Sequence, residues 1–156
     1  MSLSELHKEL ELTEKCIWEG DAKSEDINRY KKLSRAMEDI IAMQADDERY
    51  HIMLVIPVAD RPQHLETCLE SILNLCETFC YGGKSRYYNK VSVLVSEDSR
   101  QELCREKNKE ISESFSQRGL LVTYFGLDEQ NKVLSNLSAT EKTALKGVVG
   151  NEDSDC

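Results

Sequence analysis

Apolar residues recur three and four apart through residues 4–45. Leu3, Leu6, Leu10 and Ile17 in "LSELHKELELTEKCIWEG" share a face that ends at Gly20, the pattern of an amphipathic helix with a glycine stop. "SEDINRYKKLSRAMEDIIAMQ" repeats the period with Tyr30, Leu33, Met37, Ile40 and Ile41. Ser24 is its expected N-cap, with Glu25 and Asp26 in the first turn. The two segments predict a helical hairpin, serving either as an accessory packing element or as a homodimer contact.

From residue 50 the period changes. "HIMLVIPV" is an unbroken apolar run, as expected for a strand covered on both faces of a parallel sheet. Pro57 is expected to close it, because proline cannot donate to a ladder. A helix follows with Pro62 in its first turn and a stripe of Leu65, Leu69, Ile72, Cys76 and Phe79, flanked by Cys68 and Leu75. "YGGKSRYYN" reads as a loop. Val91–Val95 predicts a second strand and Leu103, Lys107, Ile111 and Phe115 a second helix, capped by Gly119. "LLVTYFG" gives a third strand. The order β-α-β-α-β predicts an α/β, Rossmann-like parallel sheet, half of a doubly wound fold. Three segments result: a helical extension over 1–48, an α/β domain over 50–126, and a polar helix and tail over 127–156.

Composition narrows the classes. A chain of 156 residues with 31% charged and 40% hydrophobic positions can bury a core and is expected to be soluble. The longest apolar run, Ile52–Ile56, is too short to span a bilayer. The N-terminus has no apolar core of a secretion signal, so the expected location is cytoplasmic and the Asn136–Ser138 sequon is without meaning. A formal charge of −9 and no basic stripe argue against a nucleic-acid partner. Six cysteines with no CxxC read as reduced thiols. Cys76 and Cys80, one turn apart, supply only two metal ligands, with no histidine nearby, and read as core-facing.

Ligands of such sheets bind outside the carboxyl ends of the strands. The expected tips are Val58–Arg61, Ser96–Ser99 and Gly126–Asp128. Neither GxGxxG nor GxxxxGK[ST] is present, which argues against a dinucleotide fingerprint and a P-loop. Two acidic tips side by side suit a nucleoside, whose hydroxyls and N–H groups carboxylates accept. Each tip residue also has a plain structural role open to it. Asp60, Glu97 and Asp98 suit helix capping, and Arg61 suits a surface ion pair. His64 and His51 read as surface and structural residues; Trp18, Tyr87 and Tyr88 read as packing or loop residues.

"VIPVADRPQHLETCLESIL" resembles the opening of inverting family-two glycosyltransferases of the glycosyltransferase-A fold, whose pattern runs roughly I-P-T-Y-N-R-x-x-x-L-x-x-x-L-x-S-I-L. Ile56, Pro57, Arg61, Leu65, Leu69, Ser71, Ile72 and Leu73 match it. "VLVSEDSR" stands where that family has a strand ending V-D-D-G-S. The resemblance covers about residues 51–125. It implies a nucleotide-sugar donor, with UDP-sugars favoured, held by Val58, Asp60, Arg61, Glu97 and Asp98. It also implies a divalent cation (Mg or Mn), for which Asp153 and Asp155 form the one D-x-D in the chain. Val58 and Ala59 depart from the family's Thr-Tyr, and Ser99 replaces its glycine. No acceptor half with a catalytic base follows. The expectation is therefore the donor-binding half of a transferase with an unknown acceptor, or a scaffold that keeps the fold without catalysis.

Overall fold

The computed structural model describes residues 2–20, 22–44, 47–84 and 87–145. It is an α/β structure with a three-stranded parallel sheet and, among the described residues, six helices. Helices α1 (Leu3–Trp18) and α2 (Ser24–Ile41) form the expected hairpin. Ser2 caps α1 in a reciprocal arrangement with Glu5. In α2 the cap is Lys23, one residue before the expected Ser24, because the Asp26 carboxylate accepts the Lys23 N–H at 2.9 Å. Leu6, Leu10 and Leu33 make the hairpin's own small core.

Strand β1 (Ile52–Val58), helix α3 (Pro62–Phe79), strand β4 (Val91–Glu97), helix α4 (Glu102–Gln117) and strand β5 (Leu121–Phe125) carry the central unit. Residues 81–89, expected as loop, contain a short hairpin of β2 (Gly83–Lys84) and β3 (Tyr87–Tyr88). Gly119 ends α4 with φ +100°, a backbone that favours glycine. After β5 come two helices where one was expected, α5 (Leu127–Ser135) and α6 (Ala139–Leu145).

The sheet order is β1-β4-β5, parallel throughout. Val91, Val93 and Val95 alternate onto the face that α3 and α4 cover, and meet Leu65, Leu69, Leu73 and Phe115 in the main core. Leu73 replaces Cys68 and Leu75 in the buried stripe of α3, since both of those are exposed. In α4 the buried line is Asn108, Ser112 and Phe115, while Leu103 is 73% exposed.

Strand β1 departs most from expectation. It lies at an edge, with no strand on its other side among the described residues. Exposure is 45% at Ile52, 63% at Met53, 37% at Leu54 and 58% at Val55, so the strand is not covered on both faces. Nor does it stop at Pro57, which pairs in register with Ser96. The hydrogen bonds explain why proline is tolerated. Ile52 N–H donates to the Lys90 carbonyl, and the Val58 carbonyl accepts from Asp98 N–H, both at 2.8 Å. Even-numbered residues therefore face β4 through their backbone, and the N–H that Pro57 lacks would have pointed to the open edge.

The N-terminal hairpin docks at the start of the strands. Arg35 donates to the carbonyls of Thr78 and Glu77 at the end of α3, at 2.8 and 2.9 Å. Tyr30 packs edge-on against Phe79. Arg49 bridges Glu38 of α2 and Asp47, and lies 4.7 Å from the Tyr81 ring centroid. Every one of these contacts sits away from the carboxyl ends of the strands. No helix among the described residues is long and apolar enough to cross a membrane.

Candidate functional site

The tips of β1 and β4 lie side by side because the strands are neighbours in one parallel ladder. Asp60 joins them. It holds a left-handed backbone, φ +49°, which aspartate adopts more readily than most residues. Its N–H donates to Ser99 Oγ at 2.7 Å, and its Oδ1 accepts the N–H of Gln101, the N-cap of α4, at 3.0 Å. Asp60 thus caps the helix of the neighbouring tip rather than its own. The Asp98 N–H closes the same junction on the Val58 carbonyl.

The expected site residues divide into two groups. Val58 is 5% exposed and belongs to the core, leaving only its backbone at the tip. Glu97 is 4% exposed and turned inward. Its Oε1 accepts Ser99 N–H at 2.7 Å. Its Oε2 accepts Asn108 Nδ2 at 2.8 Å and lies 3.1 Å from the Tyr124 hydroxyl. Burial, and then the Glu97 charge, push the Tyr124 phenol well above its usual value. Arg61 and Asp98 face outward, and neither side chain has a hydrogen bond or ion pair among the described residues. The expected metal pair, Asp153 and Asp155, lies outside the described residues.

Three residues of this region carry no sequence motif, Asn108, Tyr124 and Gln130, and Ser99, which stands where the resembled family has glycine, joins them in the structure. Ser99 is buried and takes hydrogen bonds from both Asp60 N–H and Asn108 Nδ2. Gln130 of α5 donates to the Glu97 carbonyl at 3.3 Å. Gly126 lets α5 start close to the sheet, since a Cβ there would sit 2.4 Å from the Tyr124 ring. Asn108 is wholly buried and its Oδ1 has no partner among the described residues. The signal for Glu97 was in the sequence. It is in step with Val91, Val93 and Val95, so period-two alternation assigns it to the covered face.

The described rim can present the Arg61 guanidinium and the Asp98 carboxylate to a ligand, on a junction fixed by Asp60 and Ser99. A divalent cation fits these described residues poorly. Glu97 is fully engaged inside and Asp60 gives an oxygen to Gln101, which leaves Asp98 as the sole uncommitted carboxylate of the two tips. No described group of three or more His, Cys, Asp or Glu is arranged to hold a metal. Beside the tips, a cleft of about 270 Å³ opens between α4 and α5, with Arg105, Lys109, Asp128 and Glu129 on its walls. Searches of protein-family models, curated proteins and solved structures find no match to this chain.

Proposed function

We propose that the chain binds a nucleotide-sugar donor at the joined tips of β1 and β4, as the donor half of a glycosyltransferase-A-type transferase. The observation that carries this reading is the pair of outward charges, Arg61 and Asp98, without partners among the described residues, on a junction that Asp60 and Ser99 hold together. A guanidinium suits a diphosphate, and a carboxylate suits ribose hydroxyls. The ordered motifs "VIPVADRPQHLETCLESIL" and "VLVSEDSR" support the same assignment. In this reading Arg61 neutralises phosphate charge, Asp98 orients the nucleoside, and Asp60 positions both tips.

A second reading, a non-catalytic module that keeps the fold for interaction, is favoured by the inward turn of Glu97. Its carboxylate serves three internal donors. Calorimetric titration with UDP, UDP-sugars and GDP-sugars, with and without Mn²⁺, separates the two. The donor reading expects saturable binding, weakened about tenfold or more by Arg61→Ala or Asp98→Ala, since each removes a charge-assisted contact. Absence of binding by the folded chain, or binding unchanged in both variants, supports the scaffold instead.

A further inference from the structure

Strand β1 leaves a row of apolar side chains and backbone groups open to solvent. From Ile52 to Val58 it carries no charge, and its first four side chains are between 37% and 63% exposed. Native sheets protect such edges with charges, bulges or covering segments. Here Pro57 alone blunts the edge, and only at one end.

We propose that β1 pairs antiparallel with β1 of a second copy of this chain, about a two-fold axis at Leu54. The backbone phase found above turns the N–H and C=O of Met53 and Val55 outward. An axis at Leu54 sets Met53 opposite Val55 of the other copy, and both residues then exchange N–H and C=O. Four hydrogen bonds form across the axis, and Pro57 falls at the margin opposite His51, where its missing N–H matters least. The charges also match. The same axis carries Arg61, which has no partner among the described residues, toward Glu48 of the other copy, which is exposed and equally uncommitted. Side chains of Met53 and Val55 cover one another on the face that α3 and α4 leave bare. The result is one continuous six-stranded sheet.

A single strand-to-strand seam is smaller than a standard interface of roughly 800 Å² per partner. Each copy also carries a formal charge of −9. The dimer is therefore weak, reversible and strengthened by salt. The N-terminal helices, expected from sequence as either a packing element or a homodimer contact, take no part in it. The backbone pairing stands independently of what binds at the strand tips, whereas a bound diphosphate would compete with Glu48 of the other copy for Arg61.

Sedimentation equilibrium of the full chain tests it, at about 50 mM and about 500 mM salt. The mass is expected to rise from 17.8 kDa toward twice that value with concentration, more readily at the higher salt. Val55→Lys, on an exposed position of the bare face, should weaken association at least about tenfold. Leu12→Glu, on the outer side of α1, should leave it unchanged. Amide exchange supplies a reading that needs no variant: Met53 and Val55 amides become protected as concentration rises, while the Leu54 amide is protected throughout. A monomer at every concentration up to about 1 mM overturns the proposal. So does association insensitive to Val55→Lys, association lost in Leu12→Glu, or Met53 and Val55 amides whose exchange ignores concentration.

Discussion

Glu97 shows how a single side-chain direction decides what a residue is for. Its carboxylate satisfies Ser99 N–H, Asn108 Nδ2 and the Tyr124 hydroxyl in a site with almost no solvent access. Truncation leaves several donors unpaired at once, each costing about 1–3 kcal/mol. Glu97→Ala is therefore expected to lose at least about 3 kcal/mol of stability in urea unfolding, on the scale that the same unpaired-donor argument sets. Asp98→Ala, one residue on, should lie within about 0.5 kcal/mol of the parent. A double change at both positions would thus confound folding with binding, and Asp98→Ala is the clean probe of the rim. Equal stability of the two variants would refute the inward assignment. The residue types at the tips were legible in the sequence, and so was their adjacency. The split between inward Glu97 and outward Asp98 was legible only through the alternation Val91, Val93, Val95, which treating the two acids as a pair overrides.

Among the elements, the helices were plain because a 3.6-residue period survives burial on one side. In α4 the stripe through Leu103 and Lys107 is not the buried one, because the polar pair Asn108 and Ser112 faces the core. Buried polar residues are invisible to a hydrophobic count, and here Asn108 receives Glu97 while the Ser112 hydroxyl donates to the Asn108 carbonyl. β1 differs from expectation for another reason: an all-apolar strand reads as central, yet a second neighbour is absent among the described residues. Asp60 is the joint between these elements. Asp60→Ala removes the acceptor for Gln101 N–H and places an alanine in a left-handed backbone. The combined cost is about 2 kcal/mol. Asp60→Asn keeps the acceptor and tolerates the backbone, so it should cost less than about 1 kcal/mol by the same capping scale. Thermal or urea unfolding of the two variants checks the ranking, and an Asn variant as unstable as the Ala variant would remove the capping role.

At the scale of the molecule, two cores are held together by a polar clamp. One core belongs to the hairpin, the other to the sheet with α3 and α4. Arg49 is the centre of the clamp, bonded to Glu38 and Asp47, while Glu38 also accepts the Gly82 N–H and Lys90 donates to the carbonyls of Asp47 and Arg49. The Arg49 guanidinium, chiefly through its hydrogen bonds, lowers the Asp47 carboxyl from 3.8 to about 2. A lowered folded value means that the native state favours the ionised acid. The stabilisation is then complete above pH 3.8 and is lost as pH falls through about 2. Asp47 is solvent-exposed enough that screening keeps this contribution modest. Its consequence is nevertheless local, because the carboxylate holds the segment that leads from α2 into β1. On acidification through that window, amides of α1 and α2 should lose exchange protection before those of β4. Asp47→Asn should show the early loss already at neutral pH, with no further pH dependence of its own between 4 and 2. Simultaneous loss of protection in both cores, in the parent and in the variant, would mean that the hairpin and the sheet unfold as one unit without this clamp. The strand tips lie at the far end of the sheet from it, so any nucleotide affinity of Asp47→Asn at neutral pH should equal that of the parent.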